Sequence, residues 1–274
     1  MTDTIAFIGA GNMGRAIVGG LVQGGVDAGC LRVADADPAA VAQATAAFGV
    51  VGCSSNEEAA AGASVVVLAV KPQQMRVVVT ALAPALAATR PLVLSIAAGI
   101  TTSALGDWLG PGSAVVRSMP NTPALIRRGS SALFANAAVS AAQRALAHTI
   151  MAAVGAVHWL EDEALMDVVT ALSGSGPAYV FRLVEALEDA GVRLGLPAAL
   201  ARSLALETAE GAATLAAQSE LSPATLRAQV TSRGGTTERA LAVLEEGGLG
   251  ALFARALQAA CERSRSLAAE FGRP

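Results

Sequence analysis

Lysine is almost absent from this sequence: of its 19 lysine and arginine residues, only Lys71 is a lysine. The chain is weakly charged, since charged residues make up 15% of its 274 residues and the formal net charge is -3. A nucleic-acid-binding protein needs a basic patch, and the scattered arginines do not form one. The two histidines, His148 and His158, are too few and too far apart for a metal cluster, so no bound metal is expected.

Cysteine is scarce as well. Cys30, Cys53 and Cys261 are widely spaced and include no C-x-x-C pair. An odd, unpatterned set of thiols suits a reducing compartment better than a disulfide-bonded secreted protein. The first residues lack the charged segment, apolar run and cleavage site of a signal peptide, so we expect a cytoplasmic protein.

Long apolar runs are missing, although 53% of the residues are hydrophobic. The longest uncharged runs, Pro91–Gly106, Gly129–Gln143 and Ala145–Leu160, stop short of the roughly 18 apolar residues that a membrane span needs. The same apolar content excludes a disordered chain, because it provides enough surface to bury against the entropy of ordering. We therefore expect a globular protein that does not enter a membrane.

The first half of the chain alternates short apolar runs with helical stretches. Continuous apolar runs are typical of parallel strands that are buried on both faces of a sheet. The predicted strands are Thr4–Gly9, Leu31–Ala34, Val50–Gly52, Ser64–Val70, Leu92–Ser95 and Ala114–Ser118, with helices at about 12–24, 38–48, 56–62, 73–88 and 101–109. A weaker strand pair, Ser131–Ala135 and Ala156–Leu160, brackets a helix at Ala141–Val154 and extends the sheet. The pattern predicts a doubly wound α/β domain over residues 1–162.

From about Glu163 onward the sequence contains no convincing strand. Helical stretches are predicted at about 163–173, 177–195, 198–218, 222–230, 236–247 and 249–270. Ser222-Pro223 is a typical helix start, with a serine N-cap and proline at the first helical position. We predict an all-α domain over residues 163–274. Its alanine-rich helices are too thin to bury their apolar faces alone, which predicts an obligate dimer.

The first predicted strand runs into a G-x-G-x-x-G turn made by Gly9, Gly11 and Gly14. In such a strand-to-helix turn, Gly9 permits the tight turn, Gly11 lets a pyrophosphate approach the backbone, and Gly14 allows close helix–strand packing. The helix that begins near Asn12 aims free N–H groups at the phosphates. A merely structural turn is the alternative, but the position directly after a strand favours a Rossmann-type dinucleotide site.

Two acids follow the second predicted strand. Asp35 stands about 20 residues past the glycines, where a carboxylate binds the adenosine ribose hydroxyls and disfavours a 2′-phosphate. Asp37 is as well explained as the N-cap of a helix that begins at Pro38. Arg15 and Arg32 remain available to a phosphate. The residues therefore favour NADH over NADPH and leave the choice open.

Three further segments end at the predicted sheet edge where ligands bind in doubly wound folds. Lys71 follows the fourth strand; a solvated surface lysine is the alternative, but its retention where all other basic residues are arginine favours a role in the site. The small residues of Ser95–Gly99 leave room for a nicotinamide. The two prolines of Met119–Pro123 predict a rigid loop.

The helical half contains a doubled glycine, Gly234 and Gly235, directly before a doubled threonine, Thr236 and Thr237. The N–H groups at such a helix start form an anion-binding nest, and the hydroxyls can contact the same ligand. An ordinary capped helix needs only one serine or threonine. The segment therefore predicts a small carboxylate ligand.

Six motifs in order resemble the pyrroline-5-carboxylate reductase family: GAGNMG, AVKP, SIAAG, MPNTP, ALSGSGPAYVF and TSRGGTTERAL. The resemblance extends over nearly the full chain. It implies reduction of 1-pyrroline-5-carboxylate to L-proline by NADPH or NADH, the final step of proline biosynthesis. It also implies a helical domain that interlocks two subunits, in a homodimer or in a decamer built from dimers.

The resemblance further implies a set of site residues. Cofactor contacts fall on Ile8, Gly9, Ala10, Gly11, Asn12, Met13, Gly14, Asp35, Asn56, Ala69, Val70, Lys71, Pro72, Ile96, Ala97 and Ala98. Substrate contacts fall on Glu220, Gly234, Gly235, Thr236 and Thr237, and Gln229 matches a position that contacts the cofactor in some members. From these parts we expect Thr237 to be the catalytic residue, hydrogen-bonded to the ring nitrogen as the nitrogen becomes an amine. Threonine is a poor acid at neutral pH, so the proton is expected with the iminium form or through water.

Two residues depart from the family pattern. Arg233 stands where many members have proline, which leaves the rigidity of the glycine loop in question. Asp35 stands where NADP-preferring members often carry a small polar or basic residue, which leaves the coenzyme preference in question.

Three other functions compete with the reductase. A β-hydroxyacid dehydrogenase has the same order of domains. The families with that chemistry use a catalytic lysine in the helical half, and because no lysine follows Lys71, this function is largely excluded. A reductase of another small cyclic imine stays open. A dinucleotide-sensing protein without turnover also stays open, although the glycine–threonine loop favours a second ligand.

Overall fold

The computed structural model describes residues 3–271 and contains an eight-stranded sheet. The strands are β1 (Ile5–Ile8), β2 (Leu31–Ala34), β3 (Val51–Gly52), β4 (Val65–Leu68), β5 (Leu92–Ser95), β6 (Val115–Met119), β7 (Gly129–Ala135) and β8 (Gly155–Trp159). Their order is β3-β2-β1-β4-β5-β6-β7-β8, and β1 to β6 are parallel. The predicted doubly wound parallel sheet is confirmed, and the weaker strand pair extends it.

β7 runs antiparallel to β6, a direction that the sequence pattern left unspecified. Only residues 120–128 connect these strands, whereas a parallel pair needs a crossover of about a dozen residues or more. A 3₁₀ turn, Thr122–Ile126, occupies the connection. β8 then pairs parallel to β7 after the crossover helix α6 (Ala141–Ala152).

Helices cover both faces of the sheet. They are α1 (Asn12–Gln23), α2 (Pro38–Phe48), α3 (Asn56–Ala60), α4 (Pro72–Thr89), α5 (Thr102–Leu109) and α6. Within β1, Ile5 and Phe7 join one apolar core with residues of α1 and α6, whereas Ala6 and Ile8 join a second core with residues of α4 and α5. Because both of its faces are buried, β1 is apolar at every position.

The later helices lie close to their predicted bounds, with one exception. They are α7 (Met166–Val169), α8 (Gly176–Arg193), α9 (Ala198–Gln218), α10 (Pro223–Gln229), α11 (Thr236–Glu246) and α12 (Leu249–Phe271). The helix predicted at 163–173 is instead a 3₁₀ turn, the short α7 and a π-helical turn, Thr170–Gly174. The hydroxyls of Thr170 and Ser173 donate to carbonyls four residues back, a contact that bends helices.

The chain forms two compact units. One comprises the chain up to Ser175 together with the segment from Ala260, and the other is Gly176–Ala259. The predicted boundary between residues 162 and 163 stays a prediction. Between residues 3 and 271, no helix is both long enough and apolar enough to cross a membrane.

Candidate active site

The turn between β1 and α1 has the geometry that its three glycines predict. Gly9 has a φ of +109°, and a Cβ there would lie 2.7 Å from the carbonyl of Ala69. A Cβ on Gly14 would lie 2.5 Å from the Gly9 oxygen, so α1 packs directly against the turn. A Cβ on Gly11 would meet nothing within 4 Å. The backbone at Gly11 is therefore open to a ligand, and the Gly11 N-cap offers no side chain to the N–H groups of the α1 first turn.

The predicted cofactor residues gather at the carboxyl ends of the parallel strands. Ile8 ends β1, Asp35 follows β2, Asn56 begins α3 after β3, Ala69 to Pro72 follow β4, and Ile96 to Ala98 follow β5. A cavity of about 680 Å³ lies at this edge, a size that suits a small-molecule ligand. Seven of the predicted residues line it: Gly9, Gly11, Asp35, Asn56, Ala69, Val70 and Lys71.

The remaining predicted cofactor residues do not line this cavity. Ile8 and Ala10 are buried, at 0% and 2% exposure. Asn12 lines a second, smaller cavity beside α1. The residues left are Met13, Gly14, Pro72, Ile96, Ala97 and Ala98.

Asp35 is held in place by two backbone N–H groups. Ala10 of the glycine turn donates to one carboxylate oxygen at 2.6 Å, and Asp37 donates to the other at 2.9 Å. The carboxylate therefore stands fixed on the wall of the cavity. Asp37 is the N-cap of α2 and accepts the Ala39 N–H at 2.9 Å, in agreement with its capping interpretation.

The two arginines that were candidates for a phosphate contact neighbours outside the cavity lining. Arg15 donates to Gln43 at 2.8 Å, and Arg32 donates to the carbonyl of Ala61 at 2.6 Å. Among the residues that line the cavity, Lys71 carries the positive charge and the two aspartates carry the negative charges.

Asn56 is presented by a doubly capped helix start. Ser55 is the N-cap of α3, and its hydroxyl accepts the Glu58 N–H at 3.1 Å. Glu58 in turn accepts both the N–H and the hydroxyl of Ser54 at 2.6 Å. These hydrogen bonds from Ser54 hold the pKa of the Glu58 carboxyl below its ordinary value.

Six lining residues of the cavity are not among the predicted cofactor contacts: Ala36, Asp37, Gln73, Gln74, Val77 and Val78. The last four lie in the first two turns of α4, directly after Lys71. Val77 is 75% exposed, which is unusual for valine and leaves an apolar surface facing the cavity. The signal was present in the spacing, because residues three and four apart on a helix share a face.

The loops after β5 and β6 are positioned by packing and hydrogen bonds. Gly99 has a φ of +75°, and a Cβ there would meet Leu267 of α12 at 3.3 Å. Asn121 accepts the Ser130 N–H at 2.9 Å and donates to the carbonyl of Ser173 at 3.1 Å. Asn121, in the middle of the Met119–Pro123 loop, thus joins this loop to β7 and to the π-helical turn.

The glycine–threonine segment forms a closed turn followed by an uncapped helix. The Gly235 N–H donates to the carbonyl of Ser232 at 3.0 Å, and Gly234 has a φ of +72°. The Gly234 N–H donates to the carboxylate of Glu238 at 2.7 Å. Gly235 is the N-cap of α11 and offers no side-chain oxygen to the first turn.

These contacts reduce the number of N–H groups that the predicted anion nest can offer to a ligand. The N–H groups of Gly234 and Gly235 already have partners inside the chain, whereas those of Thr236 and Thr237 open α11 without a capping side chain. Glu220 is exposed in the segment between α9 and α10, and Gln229 is the last residue of α10.

Two family models match the chain. The model described as pyrroline-5-carboxylate reductase dimerisation matches residues 163–267, and the model described as NADP oxidoreductase, coenzyme F420-dependent, matches residues 4–99. Pyrroline-5-carboxylate reductase from Pseudomonas aeruginosa is 51% identical over 271 residues, which cover 99% of this chain and 99% of that protein.

Solved structures give the same result. Pyrroline-5-carboxylate reductase from Coxiella burnetii matches with a TM-score of 0.93 at 45% identity, over 97% of this chain and 99% of that one. The Plasmodium falciparum pyrroline carboxylate reductase, solved with NADP bound, matches with a TM-score of 0.86 at 30% identity, over 97% and 98% of the two chains.

Proposed function

The chain belongs to the pyrroline-5-carboxylate reductase family, and we propose on this premise that it reduces 1-pyrroline-5-carboxylate to L-proline, the last step of proline biosynthesis. The reaction adds a hydride to the imine carbon and a proton to the imine nitrogen. NADPH or NADH, when bound, supplies the hydride and is oxidised to NADP⁺ or NAD⁺. The structural observation that carries the proposal is an open helix start at α11 in a chain that also has a dinucleotide cavity.

The α/β domain, residues 1–162 in our assignment, provides the coenzyme site. The open backbone at Gly11 and the first-turn N–H groups of α1 suit a pyrophosphate. Asp35, Asn56 and Lys71 provide polar contacts on the cavity wall, and Val77 provides an apolar surface for a ring.

The helical domain, residues 163–274 in our assignment, provides the substrate site. The substrate carboxylate accepts the N–H groups of Thr236 and Thr237, where the positive end of the α11 dipole favours an anion. The Thr237 hydroxyl donates to or accepts from the ring nitrogen. Because threonine does not ionise near neutral pH, its part is to orient the ring, and the proton comes with the iminium form or from water.

Assay of the purified protein with 1-pyrroline-5-carboxylate, followed by the absorbance of the reduced nicotinamide, tests the activity. We expect Thr237→Ala to lower kcat about tenfold or more, the effect of losing one oriented hydrogen bond in the transition state, with little change in the KM of the coenzyme. Thr214→Ala, on α9, is the matched control. An unchanged rate in Thr237→Ala would remove this residue from the reaction.

Two alternatives give different outcomes in the same assay. A reductase of another small cyclic imine would turn over that imine faster than 1-pyrroline-5-carboxylate. A dinucleotide-sensing protein would bind the coenzyme without consuming it in the presence of either imine.

We propose that Asp35 favours NADH over NADPH, although the matching family model and the Plasmodium falciparum structure both name NADP. Its carboxylate is fixed by Ala10 and Asp37 at the end of β2, where it suits the free ribose hydroxyls of NADH and repels the 2′-phosphate of NADPH. The second aspartate on the cavity wall, Asp37, adds to this repulsion. The arginines nearest in sequence, Arg15 and Arg32, contact other groups.

Parallel assays with the two coenzymes test this preference. Asp35→Asn should lower the KM of NADPH about tenfold relative to that of NADH. The repulsion between two like charges a few ångströms apart near a surface is large enough to weaken binding by about that factor or more. Asp27→Asn is the control, since it removes an exposed aspartate that caps a turn outside the cavity. A ratio of the two KM values that does not move in Asp35→Asn would contradict the assignment.

The helical domain is a dimerisation domain by its family match, and we propose that the dimers assemble further into a decamer. Gly176–Ala259 leaves large apolar side chains exposed for association between chains, including Phe181, Leu215 and Phe253. Light scattering on the eluting protein measures the mass directly. A measured mass of two chains at all protein concentrations would contradict the decamer and show that the dimer is the complete assembly.

We also propose a cytoplasmic location. Cys30, Cys53 and Cys261 are free thiols, and Cys53 and Cys261 are buried, which suits a reducing compartment. Cell fractionation with an antibody to the protein tests the location.

A further inference from the structure

Glu238 makes a contact that neither the glycine motif nor the family resemblance assigns. It is the third residue of α11, and its carboxylate accepts the Gly234 N–H at 2.7 Å. Gly234 lies one residue before the N-cap of the helix. The carboxylate therefore reaches back past Gly235 and holds the outer residue of the turn.

The same device occurs at α3, and the difference between the two helices is informative. In α3, Glu58 reaches back to the Ser54 N–H at 2.6 Å, and the hydroxyl of Ser55 also covers an N–H group of the first turn. In α11 the residue that corresponds to Ser55 is Gly235, which has no side chain. Glu238 thus fixes the turn, while its own N–H group, the counterpart of the Glu58 N–H that Ser55 covers, stays open beside those of Thr236 and Thr237.

The turn depends on this contact because little else holds it. Among the described residues, the hydrogen bonds that close residues 232–235 are the Gly235-to-Ser232 bond and the Glu238 bond. A positive φ at the third position, here Gly234, is typical of a type II turn, in which proline at the second position pre-sets the backbone. The second position here is Arg233, which leaves that backbone free to rotate.

We propose that Glu238 is a positioning residue of the substrate site: by accepting the Gly234 N–H, it holds the Ser232–Gly235 turn so that the N–H groups of Thr236 and Thr237 are oriented towards the substrate carboxylate. The proposal rests on the proposed function, which assigns that carboxylate to the start of α11. Glu238 acts through the backbone and does not touch the substrate.

The opposite role has a distinct signature. A carboxylate near a helix N-terminus can also act as an internal substitute for the substrate carboxylate, and removing it would then strengthen substrate binding. As a positioning residue, Glu238 strengthens substrate binding, so that its removal weakens it. The sign of the change in KM separates the two.

Steady-state kinetics of Glu238→Ala and Glu238→Gln with two imines provide the test. The carboxylated imine is 1-pyrroline-5-carboxylate, and the unsubstituted imine is 1-pyrroline, which has the same ring without the carboxylate. Glu238→Ala should raise the KM of the carboxylated imine about tenfold, the order expected for losing one charge-assisted hydrogen bond, with a smaller change in kcat. The KM of the unsubstituted imine should stay within about twofold of the wild-type value, because that ring makes no use of the oriented N–H groups.

Glu238→Gln keeps an acceptor for the Gly234 N–H and should keep the KM of the carboxylated imine within about threefold of the wild-type value. Glu246→Ala is the control, since it removes the same charge from the far end of α11. If Glu238→Ala does not fold, Glu238→Asp takes its place, because it keeps the charge at the helix start but shortens the reach to Gly234.

An unchanged KM in Glu238→Ala, a lower KM, or an equal loss with both imines would overturn the proposal. These outcomes are separable from failure of the proposed function. If Thr237→Ala loses turnover while Glu238→Ala has normal kinetics, only the role of Glu238 fails; if neither variant differs from wild type, the substrate site at α11 fails as well.

Discussion

The two compact units of this chain differ in how they bury apolar surface. In the α/β unit, the strands and the covering helices bury large side chains completely, with Ile5, Phe7 and Leu94 at 0% exposure. In the helical unit, Gly176–Ala259, the buried hydrophobic residues are two alanines, Ala201 and Ala205. The first unit therefore has a core of its own, whereas the second lacks large buried side chains.

The comparison shows where each unit obtains its stability. Burial of large side chains contributes about 1.5–3 kcal/mol each, so the sheet and its helices supply most of their stability internally. Two alanines supply little, and large exposed apolar patches mark interaction surfaces. We conclude that the helical unit depends on association, in agreement with the dimerisation domain to which it belongs.

The largest expected difference between the two units concerns their ion pairs. Arg117 in β6 is 4% exposed, and its guanidinium lies 3.0 Å from the carboxylate of Glu163. That carboxylate also accepts the N–H and the hydroxyl of Thr102 at the start of α5. In the helical unit, Arg227 and Glu245 are 3.7 Å apart and more than half exposed.

We expect Glu163→Ala to lower the free energy of unfolding by about 3–5 kcal/mol, because it leaves the buried Arg117 charge unpaired. Glu245→Ala should change it by no more than about 1 kcal/mol, because water screens an exposed pair. Urea unfolding at one fixed protein concentration measures both. Equal losses in the two variants would contradict the difference between the units.

The same contact bears on the domain boundary. Glu163 is the first residue of the predicted helical domain, yet its carboxylate contacts β6 and α5 of the α/β unit. The compact units divide only after Ser175. The compact unit extends past residue 162 as far as its buried contacts reach, and the predicted domain boundary stays a prediction.

A second prediction concerns the exposed apolar face of the helical unit. Leu204 on α9 is 45% exposed, and Leu204→Asp should weaken dimerisation about 100-fold, because an unpaired charge would enter an apolar interface. Sedimentation velocity over a range of concentrations measures the change. Val51→Asp, at a 42% exposed valine on the edge strand β3, should leave the dimer intact. A dimer that is unaffected by Leu204→Asp would place the interface on another face.

The α/β unit could be predicted from sequence more fully than the candidate site. Strands such as Ile5–Ile8 were predictable because burial on both faces makes every residue apolar. The glycine turn was predictable because Gly9, Gly11 and Gly14 each meet a different steric demand. These steric demands involve a short stretch of chain, so a short sequence motif is enough to predict them.

Contacts made across the fold were not predictable. The break in the helix at 163–173 depends partly on hydroxyls that bond back to the helix and partly on Asn121, more than forty residues earlier. The spacing places Val77 on one face of α4 with Gln73 and Gln74, but only the packing of α4 shows that this face is exposed to the cavity. The contact from Glu238 to Gly234 is different, because it is local and was predictable: an acid three residues after a helix N-cap is a known signal.

The smallest expected effect concerns the turn that Glu238 holds. Arg233→Pro should raise the free energy of unfolding by about 0.4–1 kcal/mol, because proline restricts the unfolded chain at a position whose turn accepts it. Among the described residues, no backbone hydrogen bond uses the Arg233 N–H, so the ring removes no contact. Arg233→Ala, which removes the side chain but keeps the backbone free, separates the two effects.

The stabilised turn should also depend less on Glu238. In an Arg233→Pro background, Glu238→Ala should raise the KM of the carboxylated imine less than it does alone, since the ring and the carboxylate restrict the same backbone. A full double-mutant cycle of KM values measures this coupling. If the two substitutions change KM in a strictly additive way, Arg233 and Glu238 act on separate parts of the loop. A further contact, other than the one from Glu238, would then be needed to hold the backbone of Arg233 and keep the start of α11 open.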